Sequence, residues 1–585
     1  MRSFQRGRKR PVEVGEPDVT PSSPLGLLLL RRWADGSLSA TDVQEIALAA
    51  MKTPRDARDL SALANLGAMG HQKGNCERDL KRKFFKDVSM PEPYMLKTTV
   101  FGKQKDGKKE KMQCDFPILF PHLWIRALEE AEMWDVLGPP NEVSKFWKSQ
   151  SLKNPRLAKC RRYLEGCGDW RHQGPLPLCL HGDAAPHTEM DGLMVVSMRS
   201  ICSSMPVNLS QMVLLVAPKY MITPEMWVDV WDVLTWSLEA MALGTMPLAG
   251  PKGTPLPQHD VVGKPFKRAM IYAVTGDLEF FYTEFNFPRH NAMNPCPWCS
   301  CNQSDQPWND FRPGARWREG LVSVEALMAN THHKLFTVPG LHPLALHLDT
   351  LHTLDLGVSC HVAGNVLWEL VGQRPEAQEL AMRKLNLLIQ QTYEALGTPV
   401  NQRVSSIGLK DLRKAGKEYP ILKHQKGAKV RHFIPVLERL CAKWQAEDHD
   451  RHRYKVVQGL LEIYESLEKR DYCWSRVGWQ AFDKAVCKML INYQWLAKEA
   501  FQKRETLWSV VQKHHMTCHL PQQAQWVNPR YVWTYGSESY MGTMVKLASA
   551  CLHGTQAKGV PPKMIAKWRF FWHLLVRRIV DLEDD

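Results

Sequence analysis

Leu176-Pro177-Leu178-Cys179-Leu180, running on into His181-Gly182-Asp183, is the stretch on which the fold turns: an apolar run of strand length that closes on a glycine and a carboxylate. Three more such runs follow, Leu193–Met198, Met212–Val216 and Ala269–Val274, with turn or helix signals between them. Between the third and fourth, Thr223-Pro224-Glu225 supplies a cap, a Pro at the first helical position and an early acid. Trp227, Val230, Trp231, Leu234 and Leu238 then recur at helical spacing. Three strands, a helix and a fourth strand predict an α/β fold, a mixed sheet with flanking helices.

The fourth run ends in Gly276-Asp277, as the first ends in Gly182-Asp183. A glycine lets the backbone turn sharply before a carboxylate. Two adjacent strands ending this way can hold one divalent ion, and a third acid from a helix can hold a second about 3.5–4 Å away. Mg²⁺ or Mn²⁺ suits such hard oxygen ligands, and a two-metal site suits phosphoryl transfer. Taken singly, each Gly-Asp also reads as a turn dipeptide.

The 585 residues carry 76 Lys and Arg against 61 Asp and Glu, a net charge of +15, with 44% hydrophobic and 23% charged residues. That balance excludes disordered, collagenous and coiled-coil classes and favours a polyanionic partner. The apolar run Leu25–Leu30 ends at Arg31-Arg32, far short of the roughly twenty residues of a membrane span, so no membrane association is expected. Arg2, Arg6, Arg8, Lys9 and Arg10 precede no apolar stretch of signal-peptide length, which points to the nucleus. Fifteen cysteines, an odd number, predict reduced thiols and a reducing compartment.

Residues 1–115 read as a basic, mostly helical accessory and DNA-binding region and 116–173 as a helical lead-in. Residues 174–290 hold the first part of the core, 291–365 a zinc-binding segment and 366–515 a helical insertion. The core resumes over 516–570, and 571–585 is a tail. Between Lys73 and Lys111 twelve basic residues outnumber six acids, with Phe84, Phe85, Tyr94 and Phe101 among them. Lys81, Arg82, Lys83, Lys86, Lys103, Lys105, Lys108 and Lys109 are the candidate DNA contacts, a solvated charged face being the other reading. In the insertion, Leu385, Leu388, Ile389, Thr392 and Leu396 form one helical face and Tyr454, Val457, Leu460, Leu461, Tyr464 and Leu467 another.

Cys296-Pro297-Trp298-Cys299 has the spacing at which two thiolates reach one tetrahedral zinc. Free buried thiols and a redox pair are alternative readings. The remaining ligands are sought among His332, His333, His342, His347 and His352, the last in Asp349-Thr350-Leu351-His352. His515 and His519 stand at i and i+4, on one helix face where zinc also fits. Met516 takes the place of the glutamate in HExxH, which argues against a zincin protease. Glu538, in Trp533-Thr534-Tyr535-Gly536-Ser537-Glu538-Ser539-Tyr540-Met541, opens a helix, where an acid also serves the macrodipole.

These elements in this order resemble the transposases of the CACTA type and the related Kyakuja-Dileera-Zisupton group. In that family an Asp ends the first strand, a second follows the fourth, and CPxC, DxMH, HLTxHL and a FERYMK-like helix start come after. The matching positions are Asp183, Asp277, Cys296 to Cys299, Asp349 to His352, His515 to Leu520 and Tyr535 to Met541, so the resemblance covers about 171–550. It implies a ribonuclease-H-like DDE core interrupted by a zinc-bearing, largely helical insertion. Asp183, Asp277 and Glu538 then carry two Mg²⁺ or Mn²⁺ ions, and Cys296, Cys299 and His352 a structural zinc. The implied activity is DNA strand cleavage and strand transfer, with element ends and target DNA as partners and a second copy of the chain as another. The chain departs from the family at Ala184-Ala185-Pro186-His187, at Leu351, and at Gly536, Ser537 and Ser539. Such departures favour an inactive, domesticated DNA-binding descendant, and a ribonuclease-H-like nuclease not tied to a mobile element, which would keep the acids, is a third reading.

Overall fold

The computed structural model describes residues 23–52, 58–85, 88, 90–103, 109–188, 191–254, 262–320, 333–372, 375–413, 418–552 and 557–583. Six strands are described: β1 (Tyr94–Lys103), β2 (Lys109–Ile118), β3 (Leu176–Thr188), β4 (Asp191–Ser200), β5 (Met212–Pro218) and β6 (Ala269–Gly276). The last four form one mixed sheet in the order β5-β4-β3-β6. β3 pairs antiparallel with β4 and β4 with β5, while β6 runs parallel to β3. Every residue of β5 and β6 is buried, which explains their unbroken apolar sequence.

A parallel neighbour needs a crossover, and the helix Pro224–Leu243 supplies it. It starts where the cap residues indicate, Thr223 Oγ1 accepting from Met226 N at 3.0 Å, and ends at Gly244 in the left-handed region. Beyond β6 the chain returns for one further parallel bridge, Leu346 to Val274, with His347 N donating to Val274 O at 2.9 Å.

Two features depart from the sequence expectations. The basic N-terminal region contains the β1–β2 hairpin, and it packs into the body of the protein: Thr223 Oγ1 of the crossover cap donates to Thr99 O at 2.7 Å, and Thr98 Oγ1 donates to Asp229 at 2.8 Å. The expected tail at 571–585 continues the helix Val560–Glu583, whose Phe571, Trp572, Leu574 and Leu575 are buried. Phe570 of that helix stacks on Phe85 at 4.5 Å and meets Trp33 at 5.8 Å, so the two ends of the chain share one core. All fifteen cysteines are free. No described helix is long and apolar enough to cross a membrane.

The helical insertion is held by a half-buried charge network. His449 bonds Glu499 through Nδ1 and Glu369 through Nε2 at 3.1 Å, and Arg453 reaches Glu369 at 3.0 Å and Asp450 at 2.6 Å. Burial opposes a charge on His449, yet the two carboxylates raise its ring to about 9. A raised histidine stabilises fully below its unfolded value near 6.5, and the contribution is lost as pH rises through about 9. Melts at pH 7 and pH 10 are therefore expected to differ by about 1–2 kcal/mol more in the wild type than in His449→Gln, after allowance for solvent screening.

Candidate active site and metal centre

The parallel pairing of β3 with β6 ends at Gly182 opposite Gly276, so the next residues, Asp183 and Asp277, leave the two strands side by side. Asp183 does not end its strand, as the sequence suggested; β3 continues to Thr188, paired only with β4, and Asp183 lies opposite Val195. The glycines have a steric cause. A Cβ on Gly182 would lie 2.0 Å from the Phe280 ring and one on Gly276 2.4 Å from it, so Phe280 seats itself between the strands only because both lack side chains. Asp277 caps the helix Leu278–Glu284 that carries this ring, its Oδ1 accepting from Phe280 N at 2.6 Å. Gly182→Ala is expected to cost about 1–3 kcal/mol, measured by chemical denaturation, since the buried ring must shift and take Asp277 with it.

Glu538 comes from the helix Tyr535–Leu552, which packs on β3 and β4. Its entry is fixed by Asp349, whose Oδ1 accepts from Thr534 N at 2.9 Å and whose Oδ2 accepts from Thr534 Oγ1 at 2.7 Å. The same carboxylate accepts from Leu351 N, from His352 N and from His352 Nδ1, the last at 2.7 Å. Asp349 thus clamps the loop after β6, the His352 ring and the start of the Glu538 helix. The sequence showed the Asp349–His352 spacing but not this role for Thr534.

The charges at the site act on one another. Burial, with Asp277 and Glu538 adding to it, pushes Asp183 up to about 6 against the pull of His352. Burial also raises Glu538. Asp349 is buried as well, yet hydrogen bonds from His352 and Thr534 hold it below its ordinary value. Burial works against a charge on His352, but Asp349 and the nearby Asp183 and Asp277 bring its ring to about 9. Asp183 thus feels the charges of Asp277, Glu538 and His352, with no Lys or Arg in ion-pair contact with the three acids among the described residues. Carboxylate oxygens are the donors Mg²⁺ or Mn²⁺ takes, but the donor atoms of these three acids do not all lie within 4.8 Å of one another, as those of Cys296, Cys299, His515 and His519 do. His181, two residues before Asp183, is buried with neither ring nitrogen bonded among the described residues, and burial holds it neutral down to about 3.

A second cluster lies apart from the acids. The donor atoms of Cys296, Cys299, His515 and His519 all lie within 4.8 Å of one another, and all four residues are buried. Cys296 Sγ stands 3.3 Å from His519 Nε2, Cys299 Sγ 3.2 Å from His515 Nε2, and the two Nε2 atoms 3.2 Å apart. Around a tetrahedral zinc these separations are about 3.6 Å for sulfur to nitrogen and about 3.3 Å between nitrogens. His515 Nδ1 faces Trp308 O at 2.6 Å and His519 Nδ1 faces Gln522 Oε1 at 3.0 Å, which places a proton on each Nδ1 and leaves each Nε2 for a metal. Burial holds His515 below its ordinary value, in the neutral form a metal requires. The residues present can hold one zinc ion.

This corrects the expected ligand set. His352 does not join Cys296 and Cys299; Asp349 holds it beside the carboxylates. Of the other histidines considered, His333 and His342 cap short helical turns, accepting from Leu335 N and Leu344 N, and His347 is buried beside β6. His332 lies outside the described residues. The i, i+4 spacing of His515 and His519 was the signal for the true partners.

The candidate DNA contacts are dispersed. Lys81 pairs with Glu77 at 3.2 Å and Arg82 with Asp79 at 3.9 Å on the helix Cys76–Phe84, which also carries Lys83. Lys103 and Lys109 face each other at the turn end of the hairpin, and Lys109 lies over the Phe101 ring at 5.7 Å. Lys86, Lys105 and Lys108 lie outside the described residues. Comparison of the chain with protein-family models and with curated protein sequences gives no match.

Proposed function

We propose that this chain is a divalent-metal-dependent DNA strand-cleaving and strand-transferring protein of transposase type, built on a ribonuclease-H-like core and working in the nucleus. The reading is supported by the way β3 and β6 part at Gly182 and Gly276, each followed by an aspartate, and by Glu538, on a helix packed on the same sheet, adding its charge at Asp183. The order β5-β4-β3-β6, with the first strand of the sheet central and parallel to the fourth, is the topology expected of such a core. The motif resemblance contributes the transposase class.

Asp183 and Asp277 would share one divalent cation and Glu538 would help hold a second. Bound there, the ions would activate a water or a 3′-hydroxyl for attack on a phosphodiester and offset charge on the leaving oxygen. The protein's own part is positional. Phe280 fixes the two strand ends, and Asp349 holds the His352 ring through its Nδ1. Charged near neutral pH, His352 would attract the scissile phosphate into line. The hairpin lysines would grip the backbone further out.

A second reading keeps the DNA contacts and the zinc group but not cutting. The burial of Asp183, which disfavours its charged form until a cation arrives, is the observation on its side. Nicking of supercoiled plasmid in Mg²⁺ or Mn²⁺ by wild type and by Asp277→Ala separates the two, since a non-cutting descendant leaves both plasmids closed.

A further inference from the structure

Beside Asp277 the surface opens into a cleft of about 400 Å³ that neither the metal chemistry nor the zinc group uses. Met194, Ile222, Pro224, Trp227 and Phe280 give it apolar and aromatic walls. Its polar lining is Asp277, Lys219, Glu279 and Glu284 with the hydroxyls of Thr223 and Thr283. Glu284 is set deliberately: the indole N–H groups of Trp227 and Trp231 both donate to its Oε2, the second at 3.0 Å, while Oε1 takes no hydrogen bond from the described residues. Burial, despite those two bonds, pushes this carboxyl up to about 7, so it can offer either a donor or an acceptor near neutral pH.

These features narrow the occupant. Glu279 is paired with Arg289 at 2.8 Å, Glu284 lies between its two protonation states near neutral pH and Lys219 is the cation on the wall, so the interior carries little net charge and suits an uncharged guest. The volume is that of a small-molecule pocket and admits a single heterocycle with its sugar, not a duplex. An aromatic wall beside one hydrogen-bonding carboxyl matches a planar ring with polar edges. Because Asp277, proposed to hold a cation beside the scissile phosphate, lines the cleft, a nucleotide flanking that phosphate can reach it without leaving the strand.

We propose that this cleft receives one unstacked nucleobase of the DNA strand held at Asp277, between Trp227 and Phe280 and against Glu284. The proposal rests on the reading of the chain as a DNA-processing protein. Its occupancy is needed because a base taken out of the stack lets the sugar-phosphate turn toward the carboxylates.

The test uses the full chain and a short duplex with a single-stranded end bearing one 5-iodouracil, irradiated and mapped by peptide mass spectrometry. The expected adduct lies on Trp227 or Phe280. Thr283 is exposed at the rim, and Thr283→Trp fills the cleft without touching the acids. It is expected to lower adduct yield at least about tenfold while affinity for the same oligonucleotide stays within about threefold. Trp227→Ala should lose the adduct too, and circular dichroism of both variants checks folding. An adduct elsewhere, or one unchanged in Thr283→Trp, overturns the cleft assignment. Plasmid nicking without the adduct overturns the cleft and leaves cutting intact; the adduct without nicking supports the cleft and overturns cutting.

Discussion

Cys299→Ser and His515→Ala are each expected to abolish stoichiometric zinc and to lower stability by about 4 kcal/mol or more, read by metal analysis and thermal melts. The size follows from what the group joins. Cys299 and His515 are 216 residues apart in sequence, yet their donor atoms stand 3.2 Å apart. Structural zinc stabilises small finger peptides by about 10–16 kcal/mol at neutral pH, and losing one ligand from a closed tetrahedral site forfeits a large share of that. What remains in either variant is three buried ligands with no common partner. Chelation of the wild type should reproduce the drop, whereas His352→Ala should keep its zinc. Zinc lost from His352→Ala and retained in His515→Ala would reverse the ligand assignment.

Asp277→Asn is expected to reduce metal-dependent nicking by about 10³-fold or more while leaving the melting temperature within a few degrees. Asn keeps an oxygen for the Phe280 N–H, so the helix cap survives and the charge alone is lost. Removing that charge takes away one of the two carboxylates that would share an ion between the strands. The separation of effects makes the result informative: a collapse in stability would mark Asp277 as a structural cap, and unchanged nicking would remove it from the chemistry. Glu538→Gln should lose activity in parallel, because its helix is anchored through Thr534 and Asp349 and not through Glu538 itself.

The four sheet strands and the crossover helix were legible because burial on both sides demands continuous apolar runs, as in Met212–Pro218, and because Thr223-Pro224-Glu225 states a helix start in local chemistry. The hairpin was hidden by composition. Along β2 the outer residues from Lys109 to Gln113 are exposed or half-buried, and only Phe116, Pro117 and Ile118 are buried, so its charge density reads as solvated loop. The zinc group was half visible: both pairs of ligands stand at telling spacings, but nothing local joins Cys296 and Cys299 to residues more than two hundred positions away. His352 was misplaced because a histidine near a CxxC looks like a ligand until its partner is known, and that partner, Asp349, lay only three residues upstream. Phe280, which explains both Gly-Asp pairs, is a long-range contact for Gly182 and left no mark in sequence.

The joining of Cys296 and Cys299 to His515 and His519 also orders events during synthesis. At roughly 5–20 residues per second a ribosome needs about ten to forty seconds to pass from the cysteines to the histidines, and Glu538 follows them. Until then the nascent chain carries the two thiols without their histidine neighbours, the two aspartates without the acid proposed as their third partner, and Trp33 without Phe570. Closure of the Cys/His group and of the Trp33–Phe570 contact therefore waits until His519 and Phe570 have been made, so a product terminated between Cys299 and His515 has neither.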